Sequence, residues 1–167
     1  MTRPTPDPET RKAELSALLD RGYHYATALT GDPVLAEDIL QDAWTAVLQA
    51  GALDGVHAGY LFRAIRSRFI DRMRREQRVP FDPTEDLVVP VGPEAERLIE
   101  ADALWVGLLT LKPAEREALY LHHVEGFTAQ EIGDRTNRPR NTILTLISRG
   151  RARLRMWFER RGLEVAG

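Results

Sequence analysis

Apolar residues recur along this chain at spacings of three and four, the period of a helix with one buried face. Leu15, Leu18, Leu19, Tyr23, Ala26 and Leu29 form one such stripe. It predicts a helix over residues 12–30, stopped by Gly31. Asp32-Pro33 then supplies an N-cap followed by proline at the first helical position, and a second helix runs to about residue 50. This helix has two apolar edges, Leu35, Ile39, Ala43 and Val47 on one and Leu40, Trp44 and Leu48 on the other. Asp38, Gln41, Asp42 and Thr45 lie between and beside them. Such apolar width either serves a partner or is buried on both edges in a three-helix unit. Residues 51–59, punctuated by Gly51, Gly55 and Gly59, read as a loop. The third helix, residues 60–77, turns Leu61, Phe62, Ile65, Phe69 and Met73 inward.

The period then breaks. Residues 79–96 hold four prolines, with Asp82, Glu85, Asp86, Glu94 and Glu96 among them, the composition of an acidic linker. Helical spacing resumes over 98–111, where Leu98, Ala101, Trp105, Leu108 and Leu109 face inward. A further helix starts at Lys112-Pro113, is packed by Leu119, Tyr120 and Val124, and ends near Gly126. Thr128 and Glu131 then have the spacing of a capping box at a short helix carrying Ile132. Gly133 is small enough for a close crossing, and Asn137 is suited to a left-handed turn. Pro139 opens a last helix, reaching about Trp157, with Ile143, Ile147 and Leu154 inside. Short helix, tight turn and second helix are the proportions of a helix-turn-helix, whose second helix enters the DNA major groove. There is no strand pattern and no internal repeat. The predicted fold is all-α: two small helical domains, 12–78 and 97–161, joined by the flexible linker 79–96, with tails at 1–11 and 162–167.

Charge sharpens the picture through its distribution. The chain has 167 residues and a formal net charge of −2, which by itself points to no partner. Yet Arg63, Arg66, Arg68, Arg72, Arg74, Arg75 and Arg78 face only Asp71 and Glu76 in their stretch. From Arg138 to Arg161 the arginines are opposed only by Glu159. Two basic patches on an otherwise acidic chain are an electrostatic footprint for nucleic acid. Arg138, Arg140, Arg149, Arg151, Arg153 and Arg155 are the candidate phosphate contacts of the second patch. In the first, the arginines beside Tyr60 suit backbone tracking with base stacking.

Other chemistries find little support. With no cysteine there is no thiolate metal site and no disulfide, and the four histidines lack ligand spacing. No glycine-rich phosphate loop follows a strand, and no nucleophile, base and orienting group converge. No enzymatic activity, metal or cofactor is expected. The chain shows neither a membrane-length apolar run nor a signal-peptide core, so a cytoplasmic location is expected.

Taken together, residues 15–154 resemble the bacterial sigma factors of the extracytoplasmic-function group, the small two-domain type of the sigma-70 superfamily. LTGDPVLAEDILQDAWTAVLQA resembles that family's polymerase-binding helix, and GYLFRAIRSRFIDRMRR its promoter-opening helix. LKPAEREALYLHHVEGFTAQEIGDRTNRPRNTILTLISRGRARL resembles its minus-35 domain. The resemblance implies a transcription initiation factor. Asp38, Gln41, Asp42 and Trp44 fall where the family docks on the clamp helices of the largest polymerase subunit. Tyr60, Arg63, Arg66, Arg68, Arg72 and Arg75 would serve the minus-10 element, with the 51–59 loop capturing a flipped base. Arg140, Asn141, Thr142, Leu144, Thr145, Ser148 and Arg149 would serve the minus-35 element. Core RNA polymerase, including the flap of its second-largest subunit, promoter DNA and an anti-sigma factor are the implied partners. The acidic linker would thread toward the RNA exit path.

One departure stands out. Leu144 and Leu146 occupy positions where the family usually carries a basic residue, and leucine makes no bidentate contact to guanine. These leucines could touch thymine methyls or lie under a partner. Alternatively, the chain could be a sigma-like mimic that binds an anti-sigma factor without directing transcription. A dimeric repressor would need a dimerisation heptad, which is not evident.

Overall fold

The computed structural model describes residues 7–77 and 103–162. Helix α1 spans Pro8–Thr30. It begins four residues before the apolar stripe suggested, because Asp7 caps it: one carboxylate oxygen accepts from the amides of Glu9 (3.0 Å) and Thr10 (3.2 Å). Asp7-Pro8 thus repeats the start used by α2, Pro33–Gln49, where Asp32 accepts from the amides of Val34 and Leu35. The reason in both cases is that proline needs no donor at the first helical position. Gly31 ends α1 in the left-handed region, φ 69°, with its amide on the Thr27 carbonyl (2.8 Å).

Between α2 and α3 the predicted loop contains a single 3-10 turn, Leu53–Gly55. Arg11 of α1 pairs with Asp54 in that turn. Helix α3, Ala58–Gln77, starts slightly earlier than predicted. Leu61, Phe62, Ile65, Phe69 and Met73 are buried against α1 and α2, as their period required. The linker at 79–96, together with Leu98 and Ala101 of the next predicted helix, lies outside the described residues.

The second half contains α4 (Ala103–Leu109), α5 (Pro113–His123), α6 (Ala129–Thr136) and α7 (Arg140–Arg160). Among the described residues every α-helix falls in this order and no strand occurs. Val124, expected to pack, is instead 63% exposed just beyond the end of α5. Helix α7 continues past Trp157 and meets α5 closely at Gly150, where a Cβ would sit 2.9 Å from Leu119 Cδ1.

The period did not announce how thoroughly α5 is covered. Residues 113–121 are all buried, Glu115, Arg116 and Glu117 included. Helix α5 lies between α7 on one side and α1 on the other, so the two halves pack on each other. The apolar core is continuous across that joint. The Tyr25 ring stands 4.6 Å from Phe62 in its own half and 6.0 Å from Tyr120 in the other, centroid to centroid.

Candidate nucleic-acid interface

The helix-turn-helix of α6 and α7 is shaped by four residues, two at the start of α6 and two at the turn. Thr128 and Glu131 cap α6 reciprocally: the Glu131 amide donates to Thr128 Oγ1 (3.2 Å), and the Thr128 amide donates to Glu131 Oε2 (2.8 Å). Those hydrogen bonds hold the Glu131 carboxyl below its ordinary value. Asn137 closes α6 at φ 56°, ψ 46°. The Arg138 amide then donates to the Gly133 carbonyl (2.9 Å). A Cβ at Gly133 would sit 2.6 Å from the Arg138 carbonyl oxygen. Gly133 therefore makes room for the turn itself rather than for a crossing helix.

Ile143 and Ile147 anchor α7 in the core, and the opposite face is open. Arg140, Asn141, Leu144, Thr145, Ser148 and Arg149 are exposed on it, while Thr142 is half-buried. The Thr145 hydroxyl donates to the Asn141 carbonyl (3.0 Å), which occupies that donor. Leu144 is 41% exposed. Leu146 is not on this face: it is half-buried against the core, because two residues along a helix rotate a side chain to the far side.

Not every arginine expected to meet phosphate is available. Arg138 is buried and donates to Glu117 Oε2 (3.2 Å). Arg153 reaches back to Glu115 (2.9 Å) and ties α7 to α5. Arg140, Arg149, Arg151 and Arg155 remain exposed.

The same division runs through α3. Arg63, Arg68, Arg74 and Arg75 are exposed, and Tyr60 is 39% exposed at the start of the helix. Arg72 is half-open, paired with Glu76 (2.8 Å) and leaning toward Asp38 of α2 (3.8 Å). Arg66 is the exception. It is turned into the joint between the halves, where its Nε donates to Glu117 Oε1 (2.8 Å). In this arrangement Arg66 is withdrawn from the cationic face the sequence assigned it to. On α2, Asp38, Gln41 and Asp42 are exposed, whereas Trp44 is half-buried against the core.

Glu117, which the sequence reading passed over, is the hub of that joint. Besides Arg66 and Arg138 it accepts from the Tyr25 hydroxyl (2.8 Å). Burial, with the Glu117 carboxylate beside it, pushes Tyr25 far above its ordinary value, so it serves as a neutral donor. Its neighbour Arg116 has no carboxylate. It donates to the carbonyls of Ala28, Leu29 (3.1 Å) and Leu109 (3.4 Å), filling the C-terminus of α1. Helix C-termini favour cations, and burial still lowers Arg116 to about 10. At the edge of the joint Arg21 pairs with Glu125. The one sequence signal for this network was the run Glu115-Arg116-Glu117 inside an apolar helix.

Among the described residues no helix is long and apolar enough to cross a membrane, and no group of side chains could hold a metal. Residues 15–79 match the family model "Sigma-70 region 2", and residues 101–154 match "Sigma-70, region 4". The chain is 30% identical over 156 residues to the ECF RNA polymerase sigma factor SigE of Mycolicibacterium smegmatis, covering 88% of this chain and 61% of that protein. It is 29% identical over 122 residues to SigM of Mycobacterium tuberculosis, covering 71% and 62%. It thus spans about three-fifths of the length of those two relatives. Against the RNA polymerase sigma-E factor of Streptomyces avermitilis the identity is 30% over 149 residues, with 84% of this chain and 80% of that protein covered. Among solved structures, the sigma factor RpoE from Bartonella quintana, crystallised with the anti-sigma factor NepR, has the same fold. The TM-score is 0.66 at 21% identity, over 90% of this chain and 98% of that one. Both region models in their proper order, and a relative matched over most of its length, make this chain a member of the sigma-70 family, of the extracytoplasmic-function type.

Proposed function

We propose that this chain is a transcription initiation factor that binds core RNA polymerase in the cytoplasm and directs it to specific promoters. The observation that carries the reading is the exposed arginines on both halves, Arg63, Arg68, Arg74 and Arg75 on α3 and Arg140, Arg149, Arg151 and Arg155 on α7. Phosphate contacts of this kind give affinity and register, while base contacts give specificity. On α7, the exposed Arg140, Asn141, Leu144 and Ser148 would read the minus-35 groove, with Thr142 and Thr145 beside them. On α3, Tyr60 with Arg63, Arg68, Arg72 and Arg75 serves the minus-10 element, and Arg66 joins them once released from Glu117. The exposed strip Asp38, Gln41 and Asp42 is the docking surface for the polymerase clamp helices, with Trp44 supporting it from beneath. The flap of the second-largest subunit has an open apolar groove of about 400 Å³ on the second half, lined by Leu104, Leu108, Val124, Leu154 and Phe158. The factor carries out no reaction of its own and needs no cofactor. An anti-sigma factor is its expected controller.

Run-off transcription with core polymerase, on promoters selected from random sequence, tests the reading. Promoter-specific transcripts that depend on the chain are expected. Tight binding of an anti-sigma factor with no transcript from any selected template would replace the reading with that of a mimic.

A further inference from the structure

Along one side of α3, Arg63, Arg66, Ser67, Asp71 and Arg74 follow one another at spacings of three and four. Arg135 of α6 closes that side into an open cleft of about 260 Å³. The charges around the cleft do not balance. Arg66 is compensated by Glu117. Arg63, Arg74 and Arg135 form no ion pair among the described residues, and Asp71 is the one acid that lines the cleft with them. Arg135 is held in place there. Its guanidinium lies 4.1 Å above the centre of the Phe127 ring, a cation–π contact. Its Nη2 stands against the start of α3, where a Cβ on Gly59 would be 3.0 Å away. Its Nε is buried with no hydrogen-bond acceptor. Glu131, one turn earlier on α6, is engaged by Thr128 instead. An orphaned buried donor is rare in folded proteins and asks for a reason. Like charges gathered in a concave site raise the local concentration of counter-ions.

We propose that this cleft is a binding site for a small anion of the phosphate class, a diphosphate group either free or at the end of a nucleotide. Guanidinium groups present forked donors that match phosphate oxygens two at a time. Three uncompensated guanidiniums against one carboxylate call for at least two negative charges on a compact body. A diphosphate carries them, whereas a single phosphodiester carries one. The exposed Ser67 hydroxyl supplies a further donor at the same wall. The donors come from α3 and α6 together, so the site is separate from the exposed arginines of α7. One consequence rests on the promoter-directing reading: Arg63 is shared with the minus-10 element, so the anion has to leave before that element is held. Binding of the anion itself does not depend on that reading.

Calorimetric titration of the whole chain with pyrophosphate, and separately with ADP, both without magnesium, DNA or polymerase, tests the site. One saturable site is expected. Equal affinity for the two ligands identifies the free anion as sufficient, and tighter binding of ADP identifies a nucleotide as the source. Arg135→Ala should weaken binding by about tenfold or more, the loss of a charge-assisted hydrogen bond. Asp71→Asn should tighten it by about threefold, because a like charge leaves the wall of the cleft. That gain has the opposite sign to any loss of folding, so Asp71→Asn decides the matter if the Ala variant misfolds. Arg160→Ala, an exposed arginine away from the cleft, should leave the affinity unchanged. Absence of saturable binding overturns the proposal. So does equal weakening by Arg160→Ala and Arg135→Ala, which would mean diffuse attraction, or a folded Arg135→Ala or Asp71→Asn variant that binds as the wild type does. A short single-stranded oligonucleotide that binds through Arg135 where pyrophosphate does not would also overturn it and make the cleft part of a DNA track. In every case the promoter-directing reading is judged separately, by its transcripts.

Discussion

Asn137 and Gly133 show how much of a recognition motif can rest on two residues. Asn137 sits at φ 56°, a conformation that costs an ordinary L residue about 1–2 kcal/mol. Asn137→Gly should therefore leave stability nearly unchanged, whereas Asn137→Val should lose about 1–2 kcal/mol in urea denaturation. Gly133→Ala should be harsher than its size suggests, since the obstacle at 2.6 Å is the Arg138 carbonyl, which has no rotamer with which to retreat. A loss of about 1–3 kcal/mol is expected. If Gly133→Ala proves neutral, the turn is looser than its geometry indicates. Both residues were legible in the sequence, because left-handed turns and close approaches restrict residue type locally. Glu117 was not. Its role depends on Tyr25, 92 positions away in the chain, and on Arg66, 51 positions away. No local pattern encodes a buried carboxylate whose partners arrive from other elements.

At the scale of elements, helical period located α1, α2, α3, α5 and α7, and its failures have physical causes. Helix α1 starts early because Asp7-Pro8 is a start signal with no apolar residue to mark it. On helix α5 the period did not mark Glu115, Arg116 and Glu117 as buried, because such residues normally mean solvent, whereas here each is satisfied inside the protein. On α7 the period assigned Ile143 and Ile147 to the core, and this leaves Leu144 as the exposed departure while Leu146 packs away. Leu144→Arg should then move the preferred minus-35 sequence toward guanine at one position. The expected discrimination is about 1–3 kcal/mol, read by selection with the reconstituted holoenzyme. Unchanged selected sequences would take Leu144 out of the groove. On α2 the exposed acidic strip makes a parallel case. Asp42→Arg should raise the Kd for core polymerase by about tenfold or more, with the helical circular dichroism unaltered, because a reversed charge at a docking face opposes encounter and complex alike. An unchanged Kd would remove that strip from the interface.

At the scale of the whole molecule, the faces proposed to read DNA are useful together only if the chain between them can span the promoter. About 85 Å separates the elements, and each half of about 65 residues extends about 11 Å from its centre, which leaves roughly 60 Å for the connection. The 18 residues of the linker 79–96 reach about 60 Å when fully extended, just enough. The sequence made this tether legible through its prolines and acidic residues, but the packing of α5 on α1 was invisible in it, because that packing joins helices whose partners no periodicity names. That close match gives an asymmetric prediction. Deleting ten residues from within 81–92 leaves eight, with a reach of about 25 Å, too short to engage both elements. Run-off transcription from two-element promoters should then fall by about 10²–10⁴, the avidity lost when one site can no longer present the other. Inserting ten flexible residues instead should cost only about 0.3 kcal/mol, because closure entropy grows with the logarithm of length. Equal losses from deletion and insertion would mean that the connection acts through its own sequence rather than its reach, and simultaneous engagement would then have to be sought in the polymerase instead of in this chain.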